Sequence, residues 1–242
     1  MSRPTPEAFA HHKTHQEVHK LTNPLRDVIL GGQDGLVNAL GIILGIAVVT
    51  PSIHILIATV LAATAAESIS MGAVAYTSTM AQKDHYESEK HKAAMEIAKY
   101  PEMEKEEVRL IFEAKGFTGN VLEEIATTIS SDKKIWLNVM MAEELGLQKI
   151  NTPEVVKSSI IVTITTAIGH LIPLVPFFFV THTTGLIIAI VLSAITLFAV
   201  GVYQAITLVG SWWKSGIKMV CIGLGAALLG FIIAKIFHTS GV

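Results

Sequence analysis

Five stretches of about 20 or more predominantly apolar residues, the length at which a helix crosses a bilayer, leave this chain few folds to choose from. They run Val28–Val49, Ile53–Thr79, Val156–Val180, Gly185–Val209 and Gly216–Phe237. Thr50-Pro51-Ser52 separates the first two, because proline disfavours helix in the residue before it. Between the second and third stretches the composition changes. Residues 82–154 hold fifteen of the chain's 20 acidic residues and ten of its 18 basic ones. The pattern predicts an all-α integral membrane protein, with five transmembrane helices and a helical domain inserted between the second and third. Its parts are a polar, His-rich arm (1–25), transmembrane helices 1–2 (26–81), the insert (82–154) and transmembrane helices 3–5 (155–242).

Charge sets the expected orientation. The connections Thr50–Ser52 and Thr181–Thr184 carry no Lys or Arg. The arm (Arg3, Lys13, Lys20, Arg26), the insert and the loop with Lys214 and Lys218 carry nearly all of them. The positive-inside rule then places the N-terminus and the insert in the cytoplasm, and the C-terminus across the membrane.

Several classes are excluded. Cys221 is the only cysteine, so no internal disulfide and no Cys-based metal site can form. The first 26 residues lack the apolar core of a cleaved signal peptide. No basic run, nucleotide-binding glycine loop or hydrolase elbow supports binding of nucleic acid or nucleotide.

The insert reads as helices. Gln82–Tyr100 continues the second span, Pro101 breaks it, and Glu102–Ala114 resumes toward a stop at Gly116. Asn120 with Glu123 resembles a capping box opening Val121–Ser130. Asp132 is placed to cap Lys133–Leu145, and Gly146 to end that helix.

An ionisable residue at membrane depth is expensive, and so marks a functional candidate. Asp34 lies about 12 Å along the first span at 1.5 Å per residue. Glu67 and Met71 lie about 22 and 16 Å in from Gln82 on the antiparallel second span. The three are expected to line one pathway in the cytoplasmic half. Asp34, Asn38, Gly41 and Gly45 share a helix face, and Gly41 to Gly45 is a GxxxG that lets helices approach closely. The competing reading pairs Asp34 with Arg26 and makes the GxxxG ordinary packing.

The insert repeats the chemistry. Glu104 and Glu107 are three apart on one face, and Met140, Met141 and Glu144 share another. Carboxylates suit hard dications and thioethers softer ones, so their mixture points to a transition metal such as Fe²⁺. The alternative is a solvated acidic face and a Met pair in the core. In the arm, His11, His15 and His19 fall at helical spacing beside His12, as either a metal-collecting strip or a polar tail.

Several runs resemble the vacuolar iron transporter family. The first is Arg26-Asp27-Val28-Ile29-Leu30-Gly31-Gly32-Gln33-Asp34-Gly35-Leu36, followed by Ser70-Met71-Gly72 with Asp84-His85-Tyr86. Pro101-Glu102-Met103-Glu104-Lys105-Glu106-Glu107-Val108 and Trp136-Leu137-Asn138-Val139-Met140-Met141 with Glu144-Leu145-Gly146-Leu147 resemble its metal-binding domain. Leu171-Ile172-Pro173-Leu174-Val175-Pro176 resembles its third span. The resemblance implies a homodimer that exports Fe²⁺ or similar ions from the cytoplasm in exchange for protons, with the first spans at the dimer axis. It carries the pathway aspartate and methionine onto Asp34 and Met71. The metal ligands of the insert fall on Glu96, Glu104, Glu107, Met140, Met141 and Glu144. Two family glutamates fall instead on Ala63 and Ala93; Glu67, one turn nearer Met71, is the expected replacement for the first, and Glu89 or His91 for the second.

The expectation is therefore a proton-coupled divalent-metal exporter, not an enzyme, with no prosthetic group. Its membrane is the plasma membrane of a prokaryote or the vacuolar membrane of a eukaryote. The sequence does not separate Fe²⁺ from Mn²⁺, Co²⁺ or Zn²⁺. The other classes considered are a membrane-anchored metal sensor or store and an iron-oxidising protein. The Glu-x-x-His pattern of di-iron bundles is absent from the insert.

Overall fold

The computed structural model describes residues 24–207 and 210–239. The arm histidines His11, His12, His15 and His19 lie outside them. Every regular element among the described residues is helical. In chain order they are α1 (Pro24–Val49), α2 (Ile53–Lys99), α3 (Pro101–Ala114), α4 (Gly119–Ser131), α5 (Lys133–Val139), α6 (Thr152–Leu174), α7 (His182–Thr207) and α8 (Trp212–Thr239). A π-helical turn, Met140–Glu144, extends α5, and a 3₁₀ turn, Val175–Phe178, extends α6.

Helices α1, α2, α6, α7 and α8 are each long and apolar enough to cross a membrane. Their outward faces support that reading. Ile160, Ile164 and Ile168, one turn apart on α6, are each 53% exposed. Such a stripe is unfavourable in water and neutral against lipid. Trp212 and Trp213, exposed at the start of α8, are of the amphipathic type enriched at the bilayer surface.

Helix α2 is a single helix of 47 residues, about 70 Å long at 1.5 Å per residue. It starts where Ser52 Oγ accepts from Ile55 N–H, and it carries the second span directly into the insert. Pro101 then occupies the first turn of α3, where its missing N–H costs nothing. Asp132 caps α5, accepting from the N–H groups of Lys134 and Ile135 at 2.8 and 3.2 Å. Gly146, at φ 62°, ends the π-helical turn.

Some expectations are corrected. Helix α4 opens at Gly119 with Thr118 preceding it, so Asn120 lies inside the first turn and does not cap it. Gly119 has φ 63°, which suits glycine and moves the helix start back. The helix expected over Lys133–Leu145 keeps α-geometry only to Val139, and Leu145 N–H then reaches back to Met140 O at 3.1 Å. The membrane helices also begin earlier than hydropathy suggests: α6 opens at Thr152, α7 at His182 and α8 at Trp212.

Helix α1 packs along α6 and α8, α2 along α6, and α7 along α8. The α1–α6 approach depends on small residues. A Cβ on Gly35 would stand 2.8 Å from His170 Nδ1 and would collide with the Thr166 carbonyl. The GxxxG serves a different neighbour: Gly41 and Gly45 lie against Ala227 and Ala234 of α8. The main apolar core in the spans joins Leu40, Ile43, Leu56, Val60, Leu174 and Phe177.

Candidate ion pathway and metal centre

Glu67 on α2 is the hub of a polar cluster inside the apolar helices. Its Oε1 accepts from the Asn38 side-chain amide of α1. Its Oε2 lies 3.0 Å from His170 Nε2 of α6. The Asp34 carboxyl, one helical turn before Asn38, comes within hydrogen-bonding reach of Glu67 and within the field of His170. Arg26 is exposed and no ion pair joins it to Asp34, so the competing pairing for Asp34 is not present. Of the four expected pathway residues, Asp34 and Asn38 thus both reach Glu67. Met71 sits one turn from Glu67 on α2, half-buried. Next to it, Gly72 lets α6 close in, and Ser159 Oγ donates to the Gly72 carbonyl at 2.7 Å.

His170 was not among the expected residues. It is fully buried, and its Nδ1 lies 3.1 Å from the Thr166 carbonyl. The signal was available: a histidine deep in an apolar span falls under the same rule that singled out the two acids.

A second cluster lies in the insert. Glu104 is 8% exposed. Its pKa is pushed up to about 7, first by burial and then by the charges of Glu107, Glu144 and Glu96. Glu144 is raised too, by burial and by Glu107 and Glu96. The four carboxylates, from α2, α3 and the π-helical turn, therefore sense one another. Their neighbours are treated differently. Glu106 and Glu113 pair with Arg109, Glu87 with Lys90, and Glu143 with Lys115. Glu89, the expected substitute for the acid missing at Ala93, is engaged by Lys92 at 2.7 Å, which lowers its pKa. Among the described residues no salt bridge reaches Glu96, Glu104, Glu107 or Glu144. Like charges collected without a direct ion pair leave a potential that favours a cation.

Met140 and Met141 are buried in the apolar core of the insert. Met140 is buried with Ile97, Val108, Ala126 and Trp136, and Met141 with Tyr86 and Ala93. The π-helical turn begins at Met140. Such turns re-aim side chains and are frequent at functional sites. Among the described residues no three His, Cys, Asp or Glu side chains close around a single point in ligand geometry. Both clusters therefore present donors that still need adjustment to enclose an ion.

Comparison with known proteins gives a consistent picture. A profile described as the VIT family matches residues 25–235. Over 237 residues the chain is 27% identical to vacuolar iron transporter 1 of Tulipa gesneriana, covering 97% of this chain and 96% of the relative. It is 28% identical to vacuolar iron transporter 1 of Arabidopsis thaliana, over 92% of this chain and 90% of the relative. A vacuolar iron transporter of Plasmodium falciparum is 29% identical, over 93% and 87%.

Proposed function

The chain belongs to the VIT family, and from that membership we propose that it moves Fe²⁺ out of the cytoplasm in exchange for protons. Metal-ion transport across a membrane is the coarser statement, and with relatives named as iron transporters the chain is a transporter rather than an enzyme. The observation that carries the finer reading is the Glu67 cluster. Two carboxyls, an amide and an imidazole meet inside three apolar helices, where unneeded polar groups are costly.

In this reading the insert faces the cytoplasm, and Glu96, Glu104, Glu107, Met140, Met141 and Glu144 gather the ion there. Its clustered acids draw a dication, and the thioethers bias the site toward softer metals. The ion then passes Met71 to Glu67, Asn38 and Asp34. A carboxyl in low dielectric holds a proton, and an arriving dication displaces it, so one group exchanges the two cargoes. A second copy of the chain completes a homodimer, and Mn²⁺ is an additional cargo.

The test is Fe²⁺ flux into proteoliposomes with a pH-sensitive dye inside. Uptake driven by a pH gradient, and lost in Asp34→Ala and in Met71→Ala, supports the exchanger. Full pH-dependent transport by Asp34→Asn removes Asp34 from the exchange step.

A further inference from the structure

A backbone carbonyl fixes how His170 presents itself. Thr166 O lies 3.1 Å from Nδ1, and a carbonyl only accepts, so Nδ1 carries hydrogen. In the neutral ring Nε2 then presents a lone pair. That lone pair faces Glu67 Oε2 at 3.0 Å, and two electron-rich atoms so placed repel unless a proton or a metal cation serves both. The carboxylate is not free to swing away, because Asn38 holds its other oxygen. Asp34 brings a second carboxyl beside the pair. One turn before His170, Thr166 Oγ1 is buried without a hydrogen-bond partner. A ring N–H anchored on a backbone carbonyl, with the other nitrogen turned to a polar site, is how proteins orient an imidazole that binds metal.

We propose that His170 Nε2 is a direct ligand of the transported ion, forming with Glu67 and Asp34 a nitrogen-containing site across α1, α2 and α6. It rests on the transport reading above and adds to it the class of ion preferred, a borderline transition-metal dication. Two donors at right angles on a metal, each about 2.1 Å from it, stand about 3.0 Å apart. The Nε2–Oε2 separation already has this value, and the imidazole, the Glu67 carboxylate and Asp34 turn toward the ion to complete the site. The imidazole adds a nitrogen donor to a cluster whose other donors are oxygens. Imidazole favours Fe²⁺, Co²⁺ and Zn²⁺, whereas sites built from oxygen alone serve Mn²⁺ and Mg²⁺ comparatively well.

The experiment compares initial Co²⁺ and Mn²⁺ uptake by the full chain in proteoliposomes, as wild type, His170→Gln and His170→Cys. His170→Gln is expected to lower Co²⁺ uptake at least about tenfold while Mn²⁺ changes less than about threefold. His170→Cys, which supplies a soft donor, restores the preference for Co²⁺. A parallel fall for both ions, with Cys no better than Gln, means a packing role and overturns the proposal, as does no fall at all. If the wild type carries neither ion and no Fe²⁺ in the same vesicles, the transport reading fails, and equilibrium Co²⁺ binding decides the site. That binding is measured on full-length protein with Glu104→Gln, Glu107→Gln and the arm substitutions His11→Ala, His12→Ala, His15→Ala and His19→Ala. In that background, adding His170→Gln weakens Co²⁺ binding about tenfold if Nε2 is a ligand, and an unchanged affinity overturns it.

Discussion

Glu67 of α2 and His170 of α6 meet at 3.0 Å, although 103 residues of sequence separate them. Their pairing ties the second membrane helix to the third at the height of Asp34. With a proton shared between them, truncating Glu67 strands a fully buried ring nitrogen, at a cost of about 1–3 kcal/mol. Glu67→Ala is expected to lower the melting temperature in detergent and to abolish flux. Adding Ala63→Glu, which places a carboxylate about 6 Å nearer the start of α2, does not rescue flux, because Asn38 and His170 remain at the height of Glu67. Restored flux in the double variant would show that any carboxylate on this stripe serves.

Glu104 sets a pH dependence for the insert. Its folded pKa, about 7, lies above the ordinary 4.5, so between those values the folded state holds more protons than the unfolded one. Stability of the metal-free insert then falls as pH rises through that window. Ion binding runs the other way. Below about pH 7 an incoming dication must release the proton, so affinity climbs toward pH 7 and levels off above it. Calorimetry in buffers of different ionisation enthalpy counts the protons. Glu104→Gln reduces the proton release, leaving the share of Glu144, and it stabilises the metal-free insert at pH 8.

The closeness of α1 and α6 has its own test. Gly35→Ala pushes a methyl group into the Thr166 carbonyl and toward His170, and overpacking of this kind costs about 1–3 kcal/mol. Gly225→Ala on α8, where a Cβ meets nothing within 4 Å, is the control. Thermal melts of the two variants are expected to differ by several degrees.

Capping in the insert separates two similar-looking residues. Asp132→Ala removes the acceptor of two α5 N–H groups and costs about 1 kcal/mol. Asn120→Ala, inside α4, is close to neutral. Chemical denaturation followed by fluorescence of the buried Trp136 reads both.

The spans were legible in the sequence because hydropathy over about 20 residues is a strong signal, and Pro51 and Pro101 mark real breaks. The cap at Asp132 was legible because a short acid before a helical run has a local partner. Asn120 misled because its capping-box spacing competes with Gly119, whose positive φ starts the helix earlier. The π-helical turn at Met140 left no trace in composition, since its i to i+5 bond depends on what packs around it. Asp34, Asn38 and Glu67 were visible as charge or amide in apolar sequence. Their shared pathway was expected from depth along the spans, but their direct contacts were not, since these depend on how closely Gly35 and Gly72 let α6 approach. His170 shows the limit on the other side: its residue type was informative, and its partner lay on a distant helix.

The unbroken run of α2 from the bilayer into the insert gives the two clusters a fixed phase. Glu67 and Glu96 are 29 residues apart on this helix. At about 100° and 1.5 Å per residue they stand about 44 Å apart axially and within about 20° of the same bearing. The helix therefore works like a camshaft with two lobes cut in line: a twist applied at one end reaches the other with no joint to absorb it. A single residue added between them would turn one lobe by about 100° against the other, leaving each cluster's own contacts in place but pointing them in different directions.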